Sequence, residues 1–174
     1  MKLRILFIAA IVALTAACQP TGRQAPLGET ANAFASVRPS VPAEWGRQVL
    51  PTGAVRFACS SSRCSEYGEI RYSAMKYAYD YEPELRQGLK SGEMKSVLST
   101  MRIPGFRQIT FRDISNKEHA GYRRETVISR AGESQYTILE LTASGDTSYI
   151  VSATAPTQAK VRQYFQEGKR AMSR

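Results

Sequence analysis

Residues 106–154 read FRQITFRDISNKEHAGYRRETVISRAGESQYTILELTASGDTSYIVSAT, and this stretch decides the fold class. It holds four runs rich in β-branched and aromatic residues, separated by short polar or glycine-containing segments. Phe106 to Ile114 alternates, with Ile109 and Phe111 on one face and Gln108, Thr110 and Arg112 on the other. Tyr122 to Arg130 follows a polar loop. Ala131-Gly132-Glu133 then turns the chain into Gln135–Thr142, and Ser144-Gly145-Asp146 turns it again into Ser148–Thr154. Turns this short join antiparallel neighbours, so the four runs predict a meander. Tyr136, Ile138, Leu139 and Leu141 make the third run apolar on both faces. That pattern places it centrally, with a covering layer on each side.

Downstream, Pro156 opens an amphipathic helix in which Val161, Tyr164, Phe165, Gly168, Ala171 and Met172 recur at helical spacing. Lys and Arg lie opposite and towards its end, as the helix dipole favours. A helix after a meander packs on the sheet by default; the other use of a basic amphipathic helix is at a membrane surface. Upstream, Pro83 to Met101 reads as helical, with Leu85 and Leu89 followed by Met94, Val97, Leu98 and Met101. Ser91-Gly92 interrupts it, Ser91 capping the second half, and Pro104-Gly105 stops it. Glu66 to Tyr81 is ambiguous. Tyr77, Tyr79 and Tyr81 share one face of a strand, whereas only Tyr77 and Tyr81 stack on a helix. Such a row can hold sugar rings or bases, but packing on neighbouring strands or a helix is its commoner use. Ala54 to Ala58 alternates as an N-terminal strand. The expected fold is α+β: a mostly antiparallel β-sheet, made of a meander of about four strands plus an N-terminal strand, flanked by helices including a C-terminal amphipathic one. The order of elements over residues 53–173 resembles the PsbP-like arrangement, in which helices flank such a sheet. Proteins of that shape include photosystem subunits, a nuclear-transport factor and bacterial lipoproteins, so the resemblance implies a fold and no single activity.

The chain begins with an address. Met1-Lys2-Leu3-Arg4 is a cationic head, Ile5 to Ala13 an apolar core, and small residues precede Cys18. Residues 1–17 therefore read as a secretory signal peptide. The apolar stretch Ile5–Ala17 has thirteen residues, against the roughly 20 of a spanning helix. Leu14-Thr15-Ala16-Ala17-Cys18 resembles the lipobox of bacterial lipoproteins, which prefer an aliphatic residue where this chain has Thr15. The resemblance implies cleavage before Cys18 and a thioether-linked diacylglycerol on it. Gln19 in place of Asp implies sorting to the outer membrane, facing the periplasm. The alternative is cleavage near Ala17 that leaves a soluble periplasmic protein. Residues 18–44, with four prolines and no apolar period, read as a lipidated N-terminus and tether to a globular domain at 45–174. With Cys18 assigned to lipid, Cys59 and Cys64 remain and can pair in an exported protein. So small a loop stabilises by roughly 2 kcal/mol. The alternative is a redox or metal pair, although redox dithiols usually have two intervening residues rather than four.

Composition narrows the chemistry. The 174 residues are 43% hydrophobic and 22% charged, within the globular range for one domain. A single histidine, His119, removes multi-histidine metal sites, and there is no P-loop, Gly-x-Gly-x-x-Gly or nucleophile elbow. No catalytic residue, metal or cofactor is expected. The alternative is a small envelope hydrolase in which His119 works with an acidic residue; Glu82 with Glu84 and Glu66 with Glu69 are the paired carboxylates. The net charge of +9 is the outlying number. Loss of residues 1–17 removes Lys2 and Arg4, and twelve basic against seven acidic residues lie after residue 100. Arg107, Arg112, Arg123 and Arg124 fall on the first two strands of the meander and are expected to form an anionic-ligand or partner surface. Lipid headgroups, lipopolysaccharide phosphates, peptidoglycan carboxylates and acidic proteins are the envelope's candidates; no nucleic acid is expected in that compartment. The expected function is that of a membrane-anchored, non-catalytic binding or structural module with an envelope protein or cell-wall partner.

Overall fold

Two layers of helix close on the two faces of one antiparallel sheet. The structure is a computed structural model that describes residues 28–29, 33–59, 64, 67–99 and 103–173, with backbone alone for residues 28–29 and 97–99. Residues 1–17 and Cys18, which carry the export and lipidation readings, lie outside the described residues, as do Glu66 and Met101. The strands are β1 (Gly28–Glu29), β2 (Gly46–Val49), β3 (Val55–Ala58), β4 (Glu69–Lys76), β5 (Phe106–Asp113), β6 (Ala120–Arg130), β7 (Glu133–Ser144) and β8 (Thr147–Ala155). Seven of them run in the order β2-β3-β4-β8-β7-β6-β5, and β1 pairs with the stretch of β4 beyond β3. The predicted meander is β5–β8, and β7 lies between β6 and β8 as its two-faced apolarity requires.

The sheet is larger than the four strands plus one expected. The ambiguous tyrosine segment supplies β4, which joins the meander to β3 through eight residue pairs with β8. Its alternation was obscured because Ser73 and Ala74 are both buried, so neither face reads as plainly polar. Strand β2 carries no burial signal: all four of its residues are exposed.

Helix α3 (Gln158–Met172) covers one face. Pro156 precedes its N-cap, and Thr157 Oγ1 accepts from the Lys160 amide. Val161, Tyr164, Phe165 and Ala171 pack on Ile70, Tyr72, Ile138, Val151 and Ala153. Gly168 allows the close approach: a Cβ there would lie 3.1 Å from Ile70 Cγ2 and 3.3 Å from Val151 Cγ2. The Tyr72 hydroxyl donates to the Gly168 carbonyl at 3.1 Å. Phe34 and Val37 are buried in the same cluster, with Phe34 5.5 Å from the Tyr72 ring. Both residues precede Trp45, in the stretch expected to be tether. Two anchors three residues apart in a Pro-rich stretch give no period, yet they hold part of the expected tether on the domain.

The other face is covered at one end by α1 (Glu82–Ser91) and α2 (Glu93–Ser99). The break between them is where the sequence placed it: Gly92 takes φ +75, and Ser91 Oγ accepts from the Glu93 amide. Leu85, with Leu89 and Met94, packs on Ala120, Tyr122, Leu139, Leu141 and Ile150.

Tyr77, Tyr79 and Tyr81 stand on neither a strand nor a helix. They occupy the connection from β4 to α1, whose backbone docks on the β7–β8 turn through Tyr77 and Tyr81 amides to Asp146 and Gly145 carbonyls. Tyr77 and Tyr81 stack at 4.1 Å, and Tyr79 meets both edge-on. Burial holds the Tyr72, Tyr77 and Tyr81 phenols above the ordinary tyrosine range. The folded state therefore favours neutral phenols, and its stability is intact below about pH 10 and lost as pH rises beyond it. Alkaline titration followed by phenolate absorbance and near-UV circular dichroism should show these three phenols ionising only as the tertiary signal collapses. Full ionisation with that signal preserved would contradict the packing.

Candidate functional site

The four arginines singled out on the meander do not form one surface. Residue pairing sorts them. Arg123 lies opposite Glu140, whose neighbour Ile138 belongs to the α3-side cluster, and Arg112 lies opposite Arg123. Arg107 lies opposite Val127, which pairs with Tyr136 on that side too. Arg107 and Arg112 are five residues apart, a spacing that would put them on opposite faces of a regular strand. A register shift between Gln108 and Thr110 brings them to the same one. It also separates Gln108 from Thr110, which alternation had placed together.

Arg124 stands apart from the other three. It follows Arg123 directly, so it faces the opposite side, where it is 7% exposed and not part of an open surface. Its Nη1 is buried with no hydrogen-bond partner among the described residues.

On the α3 side, two buried carboxylates organise the cations. Glu140 accepts from Arg123 Nε at 2.8 Å and Nη2 at 2.6 Å, and from Lys169 Nζ. The Arg123 guanidinium also sits 5.0 Å from the Phe165 ring centre. Glu125 accepts from Gln158 Nε2 at 2.6 Å and from Arg162 Nη2 at 3.2 Å. Beyond this row, Arg107 and Arg112 are exposed and are in no ion pair among the described residues. The face thus presents Arg107, Arg112, Arg123, Arg162 and Lys169 against the two buried carboxylates, a local excess of positive charge. Glu125 and Glu140 were missed by the sequence reading. Glu140 stands inside the apolar run Ile138–Leu141, and a carboxylate in such a run must find cations when it is buried.

The remaining candidates do not converge. His119 sits in a tight loop where its amide donates to Asn116 Oδ1 at 3.0 Å, and no ion pair joins its ring to a carboxylate among the described residues. Glu82 pairs with Arg86, and Glu69 with Arg56 at 2.8 Å. No group of three metal-ligating side chains occurs among the described residues. Cys59 and Cys64 are joined as a disulfide, with Cα atoms 6.0 Å apart. Among the described residues, no helix is long and apolar enough to cross a membrane.

No protein-family profile and no curated protein sequence matches the chain. Solved structures do. One from Bacteroides thetaiotaomicron VPI-5482 is 18% identical with a TM-score of 0.44, over 79% of this chain and 45% of that one, so this chain spans less than half its length. A Pseudomonas aeruginosa protein of unknown function is 17% identical with a TM-score of 0.43, over 83% and 94% of the two chains. LpqN of Mycobacterium tuberculosis, described as involved in cell envelope biogenesis, is 11% identical with a TM-score of 0.49, over 81% of this chain and 84% of that one.

Proposed function

We propose that the chain is a non-catalytic binding module of the bacterial envelope, held at the outer membrane by lipid on Cys18, that engages an anionic envelope protein or cell-wall partner through the α3-side cationic face. The observation that carries this reading is the direct pairing of Arg112 with Arg123 across β5 and β6. Glu140 compensates Arg123, so Arg112 beside it and Arg107 on the same side are the exposed guanidinium groups in no ion pair among the described residues. Guanidinium forks clustered this way suit carboxylate and phosphate groups. The signal-like N-terminus supports export, and a short-range disulfide is at home in an oxidising compartment.

The test is crosslinking in intact cells, with co-sedimentation on purified peptidoglycan beside it. Arg107→Glu/Arg112→Glu should cost less than about 0.5 kcal/mol in stability, because both positions are exposed. It should nevertheless reduce specific crosslinks or sacculus binding at least about tenfold, with a salt dependence that disappears. Cys18→Ser should release the wild-type domain from the membrane fraction and remove the acyl mass. Unchanged crosslinks and sedimentation in the double variant would refute the cationic face, and unchanged fractionation of Cys18→Ser would refute the anchor.

A further inference from the structure

The face opposite α3 has two halves of different character. The apolar layer laid down with α1 and α2 ends at Phe111 and Leu139. Those two residues are the cross-strand partners of Arg124. Beyond them the sheet carries a polar row: Gln108 opposite Thr126, Thr126 opposite Thr137, and Thr137 opposite Thr154. The Thr137 and Thr154 hydroxyls lie 3.3 Å apart, which confirms that they share this face. Gln135, opposite Ile128, stands in the next row.

A polar sheet face is ordinary when water covers it. Here Arg124, Thr126 and Thr154 are each only 7% exposed. Among the described residues, three polar groups in this patch are buried with no hydrogen-bond partner: Arg124 Nη1, Gln108 Oε1 and Gln135 Oε1. Gln108 and Gln135 are the diagonal neighbours of Arg124 and Thr126 respectively, within about 8 Å of them on a sheet surface. Gln108 Oε1, one row from Arg124, and Gln135 Oε1, a further row along the same face, are open acceptors that a ligand carrying donors would complement. A buried guanidinium with no carboxylate partner among the described residues is a stability liability that a purely structural role does not explain.

We propose that this patch is a ligand site, anchored by Arg124, for a small carboxylate that also carries N–H or O–H donors. The guanidinium fork matches a carboxylate's two oxygens and balances its single charge. The two amide oxygens repel further anionic oxygen and need donors, which argues against a phosphate dianion. A peptide terminus and a sugar acid share the required chemistry. The site lies on the sheet face opposite the cationic one and does not depend on it.

Calorimetric titration of the mature protein should use D-alanyl-D-alanine and glucuronate, with acetate and glucose as controls. One of the two donor-bearing acids binds saturably, and both controls bind at least about tenfold more weakly. Which acid binds tells the peptide source from the sugar source. Arg124→Met abolishes that binding while raising Tm by about 3 °C, because an unpaired buried charge is removed. Gln108→Leu, at a half-buried position, preserves the fold and lowers the preference for the acid over acetate about tenfold. Arg107→Glu/Arg112→Glu leaves this binding unchanged. Absence of binding by both acids at millimolar concentration overturns the proposal. So does wild-type affinity in Arg124→Met, or an unaltered preference in Gln108→Leu.

Discussion

Phe165→Ala is expected to cost about 4 kcal/mol of stability and to lower Tm by about 12 °C. Phe165 is 1% exposed and lies in the cluster that joins α3 to the sheet. Its neighbours in that cluster include Ile70, Tyr72, Val151 and Val161, each 2% exposed or less. Residues so enclosed, on three different elements, cannot collapse together to fill the space that a lost ring leaves. The cavity term therefore adds nearly in full to the lost transfer free energy. A domain stable by roughly 5–15 kcal/mol survives such a loss only marginally. There is a second consequence, on function. The Arg123 guanidinium stacks on the Phe165 ring and is fixed at its other side by Glu140. Removing the ring frees one wall of the arginine that faces Arg112. Urea denaturation should show a lower midpoint with an unchanged slope, the signature of lost stability without a changed unfolded state. A loss below about 1 kcal/mol would mean that α3 is not the layer covering this face.

The parts of this architecture that were legible in the sequence are those in which local chemistry and tertiary demand agree. Gly132 and Gly145 occupy positive-φ positions in the hairpin turns, so the turns that named the meander are the turns that make it. The third run is apolar on both faces because helices lie over both. Helix α3 shows its buried stripe because one side of it meets the sheet. What was hidden depends on partners far along the chain. Strand β4 is specified by β8, about eighty residues later, and β2 by nothing on its own side chains, since all four are exposed. Phe34 and Val37 are two apolar residues among prolines and small polar side chains, and only the completed sheet gives them a place. The arginines were visible as residues but not as a site. Adjacent residues on a strand face opposite ways, so Arg123 and Arg124 could not serve the same surface. The bulge that unites Arg107 with Arg112 leaves no mark in composition or period.

Replacing both Arg123 and Lys169 by methionine is expected to cost about 3–5 kcal/mol, well above the sum of the two single replacements. The reason lies in where the burial falls. The Glu140 side chain is 4% exposed, whereas those of Arg123 and Lys169 are 37% and 35% exposed. Either cation alone can still compensate the carboxylate, so each single variant should lose only about 1 kcal/mol, the scale of one charge-assisted contact partly open to solvent. With both gone, a carboxylate inside an apolar strand keeps no counter-charge and few hydrogen bonds. The reverse change is milder. Removing Glu140 leaves two long cationic side chains that are already more than one-third exposed and can turn to water. Combining Glu140→Leu with the double replacement should then restore much of the lost stability, because an apolar trio of similar volume replaces a buried ion cluster. Thermal unfolding of the two singles, the double and the triple separates these terms. Additive singles, or a triple no more stable than the double, would show that the side chains matter here through packing rather than through charge. The comparison also bears on the cationic face. Glu140 neutralises Arg123 from the adjacent strand and leaves Arg107 and Arg112 as the face's uncompensated charges among the described residues, so the double variant keeps those two while losing the fixed guanidinium between them and the helix.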